Sequence, residues 1–469
     1  MLEKAVSPPS VMSSVYCVEP IQRAANLPGI VFLPLRDLFP DLPKEIYSPG
    51  SDISIIRKAT EDALDGVNMD MIRSQDTVNI LCSEHGFILL GGEPYAEMLR
   101  TIKDVVQERT GCKNIRLRVG EGLGLKEAKE IIQYYKLDQY FNGQTAGLSP
   151  YGKGVPIETE IGTLYGVARA YDADWFIHAH YSDLRELYWH RLINRALKPF
   201  AMSYARLETR GVYHFNFGPR SSNFVQKAIF DSPFIQQKFT FGCFLVMSPM
   251  GIIGIDADND IYQSDRRLMV SSIKSYGKPV RLFSEIDECI PVLDGGKWAM
   301  YLHAGGVTFG NLVNAQLDFF DLDVIPPGSG FWLLEKAPGA PKIKAVNPAI
   351  KALVINNMWR SMMCTELPIN TPTVVVGRDL ADMLITDSSN PEFMDYAVTA
   401  ESLESAVNFV RRIANTDKLI AFDGSWGGIN LSPSMAEFML EKAPEISRNV
   451  DEKLLPKWLR QRGIDPEQL

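Results

Sequence analysis

The chain has 469 residues, 46% of them apolar and 22% charged, with a formal net charge of −9. That length exceeds one compact core and predicts two domains. The acidic balance argues against nucleic acid and acidic membrane surfaces as partners, because both select a basic face.

Residues 1–50 carry eight prolines, among them Pro28, Pro34, Pro40, Pro43 and Pro49, and predict an extended arm laid over a domain. From Ile53 the spacing of Ile55, Ile56, Ala59, Ala63 and Leu64 predicts a helix that stops at Gly66. Residues 77–82 then read as a strand, and 94–109 as an amphipathic helix bearing Met98, Leu99, Ile102, Val105 and Val106. A strand at 114–119, the glycine turn GEGLG (120–124) and a helix from 125 to 136 complete a doubly wound α/β opening.

A glycine- and proline-rich loop is expected at 142–156, followed by strands at 163–170 and 175–180. Leu184, Leu187, Tyr188 and Leu192 recur at helical spacing up to the stop at Pro199, and 211–215 is strand-like. Buried strands are expected at 239–246 and 251–256, with a helix at 261–276. A second α/β set begins near Pro279 with VRLF and WAMYLH (298–303) as strands, then the turn containing Gly305 and Gly306. Strands ALVIN (352–356), TVVV (373–376) and KLIAF (418–422) follow, with a helix at 401–414 before the last of them.

The expected fold is therefore α/β: two α/β domains with mixed or parallel sheets and a cleft between them. An arm (1–50) precedes a first domain (51–270) and a second (271–469), with the boundary between 257 and 280 and the polar C-terminal tail able to pack back on the first domain. The six cysteines (Cys17, Cys82, Cys112, Cys243, Cys289, Cys364) show no CxxC pair, which suits reduced thiols. The N-terminus lacks an apolar core of signal length, and the longest apolar stretch is broken by Ser248, Pro249 and two glycines. A soluble cytoplasmic protein is expected, with its oligomeric state left open.

Four of the six histidines, His178, His180, His190 and His214, fall between 174 and 214. His178 and His180 end a strand and share one face of it, and in open α/β sheets ligands bind outside such carboxyl ends. A lone histidine is more often a satisfied core residue than a ligand; the cluster is what draws attention here. GEGLG entering a helix offers Gly120, Gly122 and Gly124 for close approach to a phosphate, although Glu121 would repel one and a plain tight turn is the simpler reading. The pair His178/His180 also supports a metal-dependent hydrolase. Arg185, Arg191 and Arg195 would hold a carboxylate or form a solvated helix face. Two late glycine turns, one at Gly305-Gly306 and one at 423–428, each follow a predicted strand.

Residues 76–215 resemble the nickel-dependent lactate racemase family. The resemblance runs through CSEHG (82–86), VGEGLGLKEAKE (119–130), ADWFIHAH (173–180) and Lys198 followed sixteen positions later by His214. It implies a pyridinium-derived nickel pincer nucleotide bound covalently to Lys198, nickel held by His214, and His180 as acid/base, with His190 as its substitute. The family's second acid/base histidine is replaced by Gly120-Glu121-Gly122, and its Asp/Arg-Pro motif by Ser83-Glu84-His85-Gly86. Glu121 or His85 is then the second base. The implied activity is racemisation or epimerisation of a small 2-hydroxy acid, against a non-catalytic relative that binds a small acid or nucleotide.

Overall fold

A computed structural model describes residues 20–122, 127–182, 184, 187, 196–216, 223–295, 307–313, 318–324, 346–358, 366–386 and 392–469. In chain order the strands are β1 Val31–Pro34, β2 Thr77–Ser83, β3 Asn114–Gly120, β4 Thr145–Leu148, β5 Gly154–Thr159, β6 Gly162–Val167, β7 Trp175–Tyr181, β8 Phe239–Ser248 and β9 Gly251–Asp258. There follow β10 Ile290–Gly295, β11 Leu353–Met358, β12 Thr373–Val376, β13 Ala397–Ala400, β14 Leu419–Phe422 and β15 Gly428–Leu431. They form two mixed sheets and a hairpin, and the protein is a two-domain α/β fold.

The first sheet has the order β4-β3-β2-β7-β8-β9, all parallel except β9. The chain steps outward from β2 through β3 to β4, then crosses back to start the other side at β7. The strand order thus reverses between β2 and β7, and a crevice opens at their carboxyl ends. Alternation puts Val78, Ile80, Cys82, Ile177, Ala179 and Tyr181 into one core layer, and Leu81 and Phe176 into the layer on the other face. The helix Glu93–Thr110 covers the former layer with Tyr95, Met98, Leu99, Ile102 and Val106, starting after Gly92 and ending at Gly111, both left-handed.

The second sheet has the order β1-β15-β14-β10-β11-β12-β13. Here too the parallel strands run outward from β10 and then return to its other side at β14. The arm supplies an edge strand: β1 pairs antiparallel with β15, while Ile46 and Tyr47 bond to Ile252 of β9 in the first sheet. Asp294, fully buried at the end of β10, fastens the arm by accepting from the Ala24 amide at 2.7 Å and pairing with Arg23 at 3.1 Å.

The helix Ile261–Ser284 joins the two sheets. Its early residues Ile261 and Leu268 pack with the first, and Ile273, Tyr276, Val280 and Phe283 with the second. VRLF (280–283), expected as a strand, is the last turn of this helix. An internal proline costs about 3 kcal/mol in helix propensity, and burying four large apolar side chains at roughly 1.5–3 kcal/mol each outweighs it. The helix Pro433–Asn449 and Trp458 pack in that same second core. The expected loop at 142–156 holds β4 and the start of β5, and the strand-like 211–215 is the end of the helix Leu207–Gly211 with the π-helical turn Val212–Asn216. His190, Gly124, the strand at 298–303 and the turn with Gly305 and Gly306 lie outside the described residues, as do Arg185, Arg191 and Arg195. Among the described residues no helix is long and apolar enough to cross a membrane.

Candidate functional site

Pairing between β2 and β7 ends at Leu81 opposite His178, although both strands run further. Two tyrosines from opposite faces fill the opening. The Tyr95 hydroxyl donates to Ala179 O at 2.7 Å and accepts from the Ser83 amide at 3.3 Å. On the other face the Tyr204 hydroxyl lies 3.0 Å from Leu81 O and 2.9 Å from His178 Nδ1. Strand ends that would otherwise leave backbone groups unpaired in the core are thereby satisfied, and the crevice is held open.

His178 belongs to this scaffold. It is fully buried among Phe200, Tyr204 and Phe244, and its Nε2 donates to Ala196 O at 2.8 Å. Desolvation pushes its pKa down to about 3, so the ring is neutral. With Nε2 carrying the hydrogen, Nδ1 faces the Tyr204 hydroxyl, whose single hydrogen also points to Leu81 O. Both nitrogens are engaged inside the core, which removes His178 from the metal pair that a hydrolase needs. Among the described residues no group of three or more histidine, cysteine or acidic side chains is placed to hold a metal ion.

His180, two residues on, faces the same side, and the two rings stack at 5.6 Å. His180 also stacks on the Tyr181 ring at 4.3 Å, and its Nδ1 lies 3.2 Å from Tyr181 O. A carbonyl can only accept, so Nδ1 carries a hydrogen. His180 lines a cavity of ≈ 50 Å³ together with Ser83, His85, Glu121, Lys198 and Arg210, with Gly122 and Ser203 beside them. Five separate stretches of chain contribute, three of them from the carboxyl ends of β2, β3 and β7. The volume holds roughly three or four waters or one acid of lactate size.

Lys198 begins the single turn Lys198–Ala201 and is only 3% exposed, with its Nζ 5.4 Å from the centre of the Tyr213 ring. Arg210 is buried, donating from Nε to Ala205 O at 3.0 Å and from Nη2 to Glu121 O at 2.9 Å. Burial lowers its pKa to about 10, against the pull of Glu84 and Glu121, so it stays cationic near neutrality. Ser83 Oγ meets His85 Nδ1 at 3.4 Å and receives the Ser203 hydroxyl at 3.3 Å.

The glycines of GEGLG serve other ends. A Cβ on Gly120 would lie 2.5 Å from Ser203 O, so this glycine admits the neighbouring chain. The Gly122 amide donates to the Glu84 carboxyl, so a protein group already holds the donor expected to face a phosphate. The turn at 423–428 is likewise used for packing: Gly427 bonds to Pro249 O at 2.8 Å and accepts from the Leu35 amide at 2.9 Å.

The cavity thus brings together His180, Lys198, Glu121, His85 and Gly122 of the expected residues. His214 sits in the π-helical turn with its ring edge-on to Tyr213 at 5.1 Å, and it is not among the described residues lining the cavity. Arg210 and Glu84 were missed. An arginine three positions after the helix start and a glutamate after a strand carry no distinguishing spacing; only the fold buries them together.

No protein-family model matches this sequence, and no curated protein does. Among solved structures, the lactate racemase apoprotein from Thermoanaerobacterium thermosaccharolyticum is similar at 13% identity, over 84% of this chain and 98% of that one, with a TM-score of 0.40. At that identity and TM-score the likeness assigns this chain neither an activity nor a cofactor.

Proposed function

We propose that the cavity at the β2/β7 switch point binds a small organic acid, and that the protein is an isomerase of the racemase or epimerase kind acting on a 2-hydroxy acid. The observation that carries the proposal is the convergence of three buried side chains, Lys198, Arg210 and His180, in one cavity of that size. The two cations neutralise the substrate carboxylate, the guanidinium offering a fork that matches it. His180 takes the Cα hydrogen as a proton, the C–H electron pair passing into the carboxylate as an enediolate, and protonated His85 or Glu121 returns a proton to Cα from the other face.

A nickel pincer nucleotide on Lys198, which the sequence resemblance implies, does not fit the cavity as it stands. Glu121 lines it, the Gly122 amide is committed to Glu84, and His214 is not among its described lining residues. No step is routed through that group. A cytoplasmic location belongs to the same proposal.

The test is proton NMR in D2O with D- and L-lactate and longer 2-hydroxy acids. Loss of the Cα hydrogen signal or interconversion of enantiomers, abolished in Lys198→Met, is the expected result. Line broadening without exchange would identify a binding protein instead, and neither effect with any acid of the series would overturn the proposal.

A further inference from the structure

Glu84 directly follows β2 and is fully buried. Its Oε1 accepts from the Gly122 amide in the cavity wall, while Oε2 has no hydrogen-bonding partner among the described residues. Among the described residues the charged groups facing it are Glu121 from the turn after β3, Glu127 at the start of the helix Ala128–Tyr134, and Arg210 from the helix Leu207–Gly211. An ionised carboxylate here would have one oxygen unsolvated and, among the described residues, two like charges beside it with one guanidinium opposing them. Desolvation first, then Glu121 and Glu127, push its pKa up to about 8, with the Gly122 amide and Arg210 pulling the other way.

We propose that Glu84, uncharged, is the positioning residue that tunes this cavity to monoanionic acids: it ties the Glu121–Gly122 turn to the end of β2 without setting a negative charge behind Lys198 and Arg210. The inference rests on the small-acid reading of the cavity. When Glu84 releases its proton to solvent, a full charge appears at the cavity wall. A unit charge about 10 Å from a bound carboxylate at an effective dielectric of ~20 weakens binding roughly tenfold.

The test compares wild type with Glu84→Gln, which keeps an acceptor for Gly122 and cannot ionise. L-lactate is the probe, titrated calorimetrically at pH 7 and pH 9. The expected result is a roughly tenfold loss of affinity from pH 7 to pH 9 in wild type and a much smaller loss over the same range in the variant. A loss of the same size in both would overturn the role of Glu84 and leave the small-acid reading intact. Absence of lactate binding by wild type at pH 7 would overturn both. The ¹³C carboxyl shift of Glu84 in labelled wild type, followed against pH, keeps the inference testable if the variant does not fold. Titration near 8 supports it and titration near the usual glutamate value overturns it.

Discussion

His178 is the residue on which the division between scaffold and site is tested most sharply. Replacing it with phenylalanine keeps an aromatic ring among Phe200, Tyr204 and Phe244 but leaves Ala196 O unpaired and removes the contact between Nδ1 and the Tyr204 hydroxyl. At pH 7 the loss is about 2–4 kcal/mol, from one orphaned carbonyl and one lost hydrogen bond. The pH dependence is the stronger signature. The pKa in the fold is about 3 against 6.5 when exposed, so below 6.5 the unfolded chain takes up a proton that the folded chain refuses. Stability from this group is therefore complete above pH 6.5 and falls as the pH drops towards 3. Between pH 7 and pH 5 the fall is about 2 kcal/mol. Urea unfolding followed by tryptophan fluorescence and circular dichroism at both values should show the gap between wild type and His178→Phe shrinking by that amount at pH 5. A gap that is constant or grows on acidification would refute the assignment of His178 as a neutral core residue.

Three other substitutions probe the frame and the cavity. Tyr95→Phe strips the hydroxyl that serves both Ser83 N and Ala179 O, and should cost about 1–3 kcal/mol in chemical denaturation. Asp294→Ala leaves Arg23 and the Ala24 amide without their anchor; a loss of about 3–5 kcal/mol is expected, with new cleavage in the arm on limited proteolysis. Lys198→Met keeps the aliphatic stem beside Tyr213 while removing the charge, so lactate affinity should fall roughly tenfold or more, since a charged hydrogen bond contributes about 1.5–3 kcal/mol.

Periodicity carried most of the fold. The strands at 77–82, 114–119, 239–246 and 373–376 and the helices at 94–109 and 401–414 stand where alternation and 3.6-residue spacing put them. It failed where tertiary contacts overrule local preference. Pro279 reads as a break, yet its helix runs on because Ile273, Tyr276, Val280 and Phe283 are buried on one side. β4 is hidden in a glycine-rich stretch; Gly147 there admits the Glu121 carboxylate, whose Oε1 would lie 2.7 Å from a Cβ. For the site, histidines are scarce enough to notice, and His180 and Lys198 do share a cavity. Their neighbour His178 looks identical in sequence and turns out to be a structural residue, because a strand pattern reports which face a ring takes and not what bonds its nitrogens. Glu84 and Arg210 are common residue types whose character comes only from burial.

Crystals soaked with 3-bromolactate and measured at the bromine edge put the central claim to the most direct trial. An anomalous peak in the cavity, with the carboxylate on Lys198 and Arg210 and the reacting carbon towards His180 Nε2, is the expected outcome. Water alone in that cavity, with bromine absent or lodged elsewhere on the protein, would contradict the account.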